Sequence, residues 1–256
     1  MTILLTNDDG IHAPGLAALA KEIKKIADVI IVAPATEMSA VGHAITLSDP
    51  LRVNEYYSDS KFFGYAVRGT PADCVKIAYW ALLQDQPKPD LLISGINLGS
   101  NTGINTIYSG TVSAATEGAI LKIPSIAISL TTFTKPDFSI AAEFARNLVP
   151  VVMRQTLPTG VYLNVNIPAV PKDQIRGVQI TRQGMATYRE RFYIQQDPRG
   201  QKFYWLTGEK ETIEIDEDVD DRAILQNKIT ITPVHYDMTC YAFIPELKKW
   251  NIQPKV

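Results

Sequence analysis

Short apolar runs alternate along this chain with stretches of helical periodicity, and that alternation restricts the fold more than any other feature. Ile3 to Thr6 is an apolar run ending in polar residues, and Pro14 opens a pattern in which Leu16, Leu19, Ile23 and Ile26 share one helix face. Asp28 to Pro34 follows as a continuous apolar run, as expected of a strand buried on both faces of a parallel sheet. The pattern recurs. Thr70-Pro71 caps a helix to about Leu83, Asp90 to Ser94 is a strand, Thr111 to Leu121 is helical, and Ser125 to Leu130 is a strand. Asp137 to about Gln155 adds a helix and Val161 to Ile167 a strand. Such alternation predicts an α/β fold: a doubly wound, mainly parallel sheet covered by helices on both faces.

After about Gly184 the texture changes. Tyr188, Phe192, Tyr193, Phe203, Tyr204 and Trp205 flank the turn Asp197-Pro-Arg-Gly200, which predicts a long hairpin arm. An arm so rich in large apolar side chains, with no helix of its own to pack on, is expected to contact a partner subunit. The acidic stretch Glu209 to Asp221 reads as a solvated loop and helix start, Thr230 to Pro233 as a last strand, and Met238 to Trp250 as a terminal segment. The expected division is a catalytic core over residues 1–184 and a C-terminal arm and oligomerisation segment over 185–256 that packs back on the core. A length of 256 residues suits one domain with such an appended lobe.

With 46% hydrophobic and 20% charged residues the chain is globular rather than disordered. Lys+Arg 25 against Asp+Glu 27 leaves a net charge of -2, which argues against attachment to a nucleic-acid duplex or an anionic membrane through bulk positive charge. Cys74 and Cys240 stand far apart and form neither a disulfide framework nor a thiolate metal cluster; two packed thiols in a reduced compartment are expected. The N-terminal residues lack a basic segment and a long apolar stretch, and no apolar run approaches the ~18 residues of a spanning helix. A soluble, cytoplasmic protein is the expectation.

Ligands of open parallel sheets bind beyond the carboxyl ends of the strands, so the polar residues that terminate each apolar run are the candidates for chemistry. The first strand ends in Asn7-Asp8-Asp9-Gly10, the second leads to Ser39, and the strand 90–94 ends in Gly95-Ile-Asn97-Leu-Gly99-Ser-Asn101-Thr-Gly103. Adjacent carboxylates repel unless a cation or a shared proton sits between them. Asp8, Asp9, the amide oxygen of Asn97 and the hydroxyl of Ser39 are hard oxygen donors that suit Mg²⁺ or Mn²⁺ rather than zinc, although an Asn-Asp-Asp-Gly run also makes an ordinary turn. Tyr108-Ser109-Gly110-Thr111-Val112 feeds a helix N-terminus, where free N–H groups and the positive dipole end bind anions such as phosphate; the same residues also make a plain N-cap. His43 can donate to a phosphate or leaving group, and a lone histidine is structural about as often. His12 stands close enough to reach the acidic loop, His235 has no evident partner, and Gly69-Thr70-Pro71-Ala-Asp73 is explained as a helix cap. No nucleophile elbow, P-loop lysine or Cys/His cluster is present, which disfavours serine hydrolases, P-loop NTPases and zinc enzymes.

Taken together, these stretches resemble the stationary-phase survival protein E (SurE) family of metal-dependent nucleotidases. The resemblance rests on Leu4-Leu-Thr-Asn-Asp-Asp-Gly10, Ser39 with Val41-Gly-His-Ala-Ile-Thr46, Gly69-Thr-Pro-Ala-Asp-Cys74, Ser94-Gly-Ile-Asn97, Gly99-x-Asn101-x-Gly103 and Tyr108-Ser-Gly-Thr-Val112. Asp197-Pro-Arg-Gly200, Tyr204-Trp205, Asp220 and Ile229-Thr-Ile-Thr-Pro233 continue it nearly to the C-terminus. It implies a Rossmann-like three-layer αβα core and a smaller C-terminal lobe that dimerises by exchange of segments, with tetramers of such dimers left open. It further implies one divalent metal ion per subunit (Mg²⁺ or Mn²⁺) at Asp8, Asp9, Ser39 and Asn97, and hydrolysis of nucleoside monophosphates to nucleoside and phosphate by a metal-activated water. Asp8, Asp9 and Asn97 are then the catalytic residues, with phosphate at Asn101, Ser109, Gly110, Thr111 and His43. Where many members carry an acid this chain has Asn105, which removes a negative charge near that phosphate. Two other readings remain: a non-catalytic nucleotide-binding regulator, and a phosphatase that forms a phosphoaspartyl intermediate. Paired acids disfavour the first unless a metal is present, and adjacency of the acids, rather than a two-residue spacing, disfavours the second.

Overall fold

The computed structural model describes residues 1–134, 136–211, 214–250 and 252, with the backbone alone at Tyr188. In chain order the elements are β1 (Thr2–Thr6), α1 (Pro14–Ile23), β2 (Asp28–Pro34), β3 (Arg52–Ser58), β4 (Lys61–Arg68), α2 (Pro71–Ile77), β5 (Leu91–Leu98), α3 (Asn105–Tyr108), α4 (Gly110–Ile120) and β6 (Ser125–Leu130). They continue with α5 (Ser139–Arg154), β7 (Val161–Ile167), β8 (Val178–Ile180), β9 (Thr187–Gln196), β10 (Lys202–Glu211), α6 (Asp220–Leu225), β11 (Ile229–His235) and α7 (Ile244–Lys248). Nine strands form one sheet in the order β3-β4-β2-β1-β5-β6-β7-β11-β8, and β9 pairs with β10 in a separate antiparallel ribbon. The pairs from β4 through β2, β1, β5 and β6 to β7 are parallel.

The continuous apolar runs have a simple cause, since alternate side chains of a central strand enter different helical layers. Ile3, Leu5, Ile31, Ala33, Leu91, Ile93, Ile126 and Ile128 pack with Leu16, Leu19 and Ile23 of α1 and Ala142, Ala145 and Val149 of α5. Their neighbours Leu4, Val32, Leu92 and Ala127 pack on the other face with Val75 of α2 and Val112, Ala115 and Ala119 of α4. The result is the expected α/β three-layer sandwich. Thr70 and Asp73 start α2 by capping each other's backbone N–H groups, at 3.1 and 2.9 Å.

Several details differ from the sequence reading. The strand expected over 90–94 runs on to Leu98, so Asn97 belongs to β5 itself; its pairing with β6 shifts register between Ser94 and Asn97. Helix α1 ends at Ile23, because the chain turns at Lys24 to reach β2, and Ile26 is exposed rather than on the apolar face. The hairpin β3–β4 and the short β8 were not foreseen: β3 is mostly solvated and polar, and its alternation is faint. Cys74 is packed as expected, whereas Cys240 is exposed on the segment before α7. The acidic stretch is only partly solvated. Glu214, Asp216 and Asp218 gather around Arg182, while Asp220 and Asp221 are buried at the start of α6. The Tyr188 side chain and residues 212, 213, 251 and 253–256 of the expected C-terminal segment lie outside the described residues.

Candidate active site

Strand order reverses between β1 and β5: from β1 the chain proceeds outward to β2, and from β5 to β6 on the other side. Loops leaving such a switch point diverge and open a crevice at the strand ends. After Thr6 the chain closes a tight loop in which Asn7 Nδ2 donates to the Gly10 carbonyl at 2.9 Å. Gly10 has a φ of +95°, and a Cβ there would stand 3.2 Å from the Thr36 backbone carbon, so only glycine lets the loop lie on the segment after β2. The Met38 N–H donates to the Asp8 carbonyl at 2.8 Å, which brings Glu37 and Ser39 to the acidic loop.

Asp8 and Asp9 leave the strand in different directions. Asp8 is buried and accepts hydrogen bonds from the hydroxyl and the N–H of Thr111 at the first turn of α4. Asp9 reaches across to β5, where its carboxylate accepts from the Leu98 N–H at 3.2 Å. Burial raises the Asp8 pKa against the opposing Thr111 bonds. Burial first, then the charge of Asp8, push Asp9 up to about 7 despite the Leu98 amide, with Glu37 adding to the effect. Asn97 donates its amide nitrogen to the Gly99 carbonyl at 2.8 Å, which leaves its oxygen as the end available to a cation. Ser39 donates to Glu37 at 2.6 Å and keeps its lone pairs.

Asp8, Ser39, Asn97, Asn101 and Ser109 line one cavity of about 180 Å³, together with Tyr108 and Phe133. Asp9 is not on that wall but is turned to the Leu98 amide beside it, and the remaining expected residues stand elsewhere. Thr111 turns its hydroxyl to Asp8 rather than to open space, because the buried carboxylate needs that donor. Gly110 lies directly behind the same carboxylate: a Cβ there would sit 2.8 Å from Asp8 Cβ and 3.0 Å from its Oδ2. Ser109 caps α4 by accepting from the Val112 N–H at 3.1 Å. His43 stands off from the cavity on Glu117, 3.0 Å away, and His12 rests edge-on against Tyr56 instead of reaching the acids. His235, expected to lack a partner, accepts from the Asp237 N–H at 2.8 Å.

Four supporting features were given no role by the sequence reading, although Asp220 was among the residues that carry the resemblance. Glu37 is a third carboxylate in electrostatic reach of both acids. Asn164 and Asn166 on β7 both donate to the Asn101 carbonyl, and Asn166 accepts the Asn101 N–H at 2.8 Å; two asparagines at alternate positions of an otherwise apolar run were the available signal. Asp220 accepts the Gly103 N–H at 2.9 Å, while Asp221 accepts from Thr102 and pairs with Lys210 of β10. Glu117, buried on α4, pairs with Lys76 of α2 at 2.8 Å and with His43.

Burial alone would raise the Glu117 pKa, but the bonds to His43 and Lys76 outweigh it and hold the carboxyl below its usual range. A depressed folded-state pKa stabilises the protein above the unfolded value of about 4.3 and loses that contribution as pH falls through the folded one. Glu117→Gln should therefore lower stability by about 1–2 kcal/mol at pH 7, since both partners are part-exposed, and the difference from the parent should fade below about pH 4. Urea unfolding at pH 7 and at pH 3.5 measures it; a pH-independent difference refutes the charge pairing.

Fold and crevice define a class: an α/β protein with paired acids and the first turn of a buried helix meeting at the switch point of a parallel sheet. Residues 3–190 match the family described as Survival protein SurE, and the chain belongs to that family. It is 50% identical over 252 residues to the 5'-nucleotidase SurE of Syntrophobacter fumaroxidans, with 98% of this chain and 100% of that one covered. It is 53% identical over 250 residues to the 5'-nucleotidase SurE of Syntrophus aciditrophicus, covering 97% and 93%. The crystal structure of the SurE protein from Aquifex aeolicus superposes with a TM-score of 0.85 at 40% identity, over 98% of this chain and all of that one.

Proposed function

We propose that this protein is a 5'-nucleotidase, a phosphomonoesterase that hydrolyses nucleoside monophosphates to nucleoside and phosphate. Full-length likeness to proteins named 5'-nucleotidase carries the reading, and the crevice supplies the chemistry. The donor set fits a hard divalent cation: the Asp8 carboxylate, the Ser39 hydroxyl and the Asn97 amide oxygen line the cavity, and the Asp9 carboxylate stands beside it on the Leu98 amide. Among the described residues no three His, Cys, Asp or Glu side chains group as metal ligands, so the neutral oxygens are needed to complete the set. Asp8, Asp9, Ser39 and Asn97 would hold one Mg²⁺ or Mn²⁺ per subunit. When bound, that ion offsets the repulsion between the acids and the negative charge of the phosphoryl group.

The chain's own groups do the rest. Thr111 fixes Asp8 with two hydrogen bonds, and the Leu98 amide fixes Asp9 through Oδ2. One of the two acids accepts the proton of the attacking water as its oxygen bonds to phosphorus, and returns that proton to the sugar oxygen as the old P–O bond breaks. Asn101 and Ser109, on the same cavity wall, orient the phosphate oxygens. Phosphate release from a panel of monophosphates, with Mg²⁺, Mn²⁺ or chelator, tests this reading. Release with metal and none with chelator is expected, and no release under any condition overturns it.

No helix among the described residues is long and apolar enough to cross a membrane; the cytoplasm is the compartment proposed for the enzyme. Residues 1–184 serve as the catalytic core and 185–256 as the oligomerisation part of a homodimer, or of a tetramer of such dimers. Phe192, Tyr193, Ile194, Tyr204, Trp205 and Leu206 of the β9–β10 ribbon are all more than half exposed in the single chain, and such area needs a surface to cover it. Deleting residues 188–206 should at least halve the mass in light scattering. A deletion variant with the parent's oligomeric state would mean that the arm serves its own subunit.

A further inference from the structure

The cavity at Asp8 and Asn97 holds about 180 Å³, less than the roughly 300–1,000 Å³ of sites that enclose a whole small ligand. It takes in a phosphate and part of a sugar. A nucleotide seated with its phosphate against these residues therefore leaves its base at the open rim.

Two aromatic side chains stand on that rim, Tyr108 and Phe133, 57% and 78% exposed. Phe133 is presented deliberately by its loop. The Thr132 hydroxyl donates to the Thr134 carbonyl at 2.8 Å and accepts the Thr134 N–H at 3.1 Å, which closes a tight turn just beyond β6 with Phe133 at its apex. Beneath the ring lies Gly99, with a φ of +116°; a Cβ there would fall 2.6 Å from Phe133 Cε1 and 2.8 Å from Cζ. The absence of that carbon lets the ring settle on the backbone between Asn97 and Asn101. An isolated exposed phenylalanine needs no explanation by itself. One that is seated on the backbone directly after the strand bearing Asn97, and forms a wall of the same cavity, is positioned for ligand.

We propose that Phe133 is a stacking platform for the nucleobase, so that the enzyme recognises the base through its π-face rather than through its hydrogen-bonding edge. This deepens, and rests on, the nucleotidase reading. Stacking on an aromatic side chain tolerates every base, because each has a π-face, and the larger purines gain most. Both purine and pyrimidine monophosphates are accepted, with purines preferred.

The test compares AMP, UMP and ribose 5-phosphate in the parent, Phe133→Ala, Phe133→Leu and Phe133→Trp proteins, with thermal unfolding to verify folding. Phe133→Ala should lower the kcat/KM of AMP relative to that of ribose 5-phosphate by roughly tenfold, through KM rather than kcat. Phe133→Trp should keep the preference, and Phe133→Leu, apolar but without a π-face, should lose most of it. Calorimetric binding of adenosine alone should weaken in parallel. A ratio unchanged in Phe133→Ala, or leucine performing as well as phenylalanine, overturns the stacking role. Absence of turnover of all three substrates by the parent protein instead refutes the nucleotidase reading, while adenosine binding still decides the platform.

Discussion

Asp8→Asn and Asp9→Asn should each abolish turnover, and each should lower Mn²⁺ affinity by roughly 100-fold or more. The expectation follows from charge. The other two proposed oxygen donors, Ser39 and Asn97, are neutral, so each substitution removes half the formal negative charge that the proposed ligands offer the ion. Neither change should unfold the protein, since asparagine keeps the carbonyl oxygen that accepts from Thr111 or from Leu98. Relief of the repulsion between the acids should even stabilise the metal-free protein slightly. Calorimetric titration with Mn²⁺, beside phosphate release, checks both halves. Undiminished Mn²⁺ binding in the two variants would sink the ligand assignment, whatever happened to activity.

The second large effect is structural. In most helices replacing glycine by alanine helps, by about 0.5–1 kcal/mol. At Gly15 the sign reverses. A Cβ there would stand 2.1 Å from the Ile96 carbonyl oxygen and 3.1 Å from Phe138, because α1 begins directly against the backbone of β5. A carbonyl inside a central strand cannot swing aside as a flexible side chain would. Gly15→Ala should cost about 3 kcal/mol, which for a chain of this size is a fall in Tm of roughly 6–12 °C. The backbone that must move carries Asn97 next in sequence, so metal affinity should fall with stability. Scanning calorimetry decides the first point, and a Tm equal to or above that of the parent would mean that the helix shifts freely on the sheet.

How far the sequence could be read follows from how each feature is encoded. Strands such as Ser125–Leu130 and Val161–Ile167 were legible to the residue, because burial on both faces writes a run dominated by apolar residues, even with Ser129, Asn164 and Asn166 inside it. The β3–β4 hairpin was not, since an edge hairpin with solvated residues leaves little pattern. Likewise, β5 was cut short at Ser94 because Gly95 and the polar residues beyond Ile96 read as a loop, although the chain stays extended to Leu98. At the site, residue types singled out the acids, Ser39 and Asn97 as candidates, and the fold brings these four to neighbouring strand ends. Directions were not encoded. Thr111 looks like an anion ligand in sequence, yet its hydroxyl points to Asp8; His43 looks like a phosphate donor, yet Glu117 holds it. Long-range partners such as Asn166 to Asn101 and Asp220 to Gly103 are invisible until the fold joins them, 65 and 117 residues apart.

The root of the aromatic ribbon bears on how that ribbon is removed in any experiment. Lys210 Nζ donates to Thr102 Oγ1 at 2.9 Å and pairs with Asp221, so the last turn of the ribbon is pinned beneath the loop that carries Asn101. Two surgical cuts a few residues apart thus ask different questions. An excision stopping at Leu206 leaves the pin in place and reports on assembly alone. One extended through Lys210 also strands a buried aspartate without its cation, and the loss of several kcal/mol expected from that would masquerade as a requirement for the partner subunit.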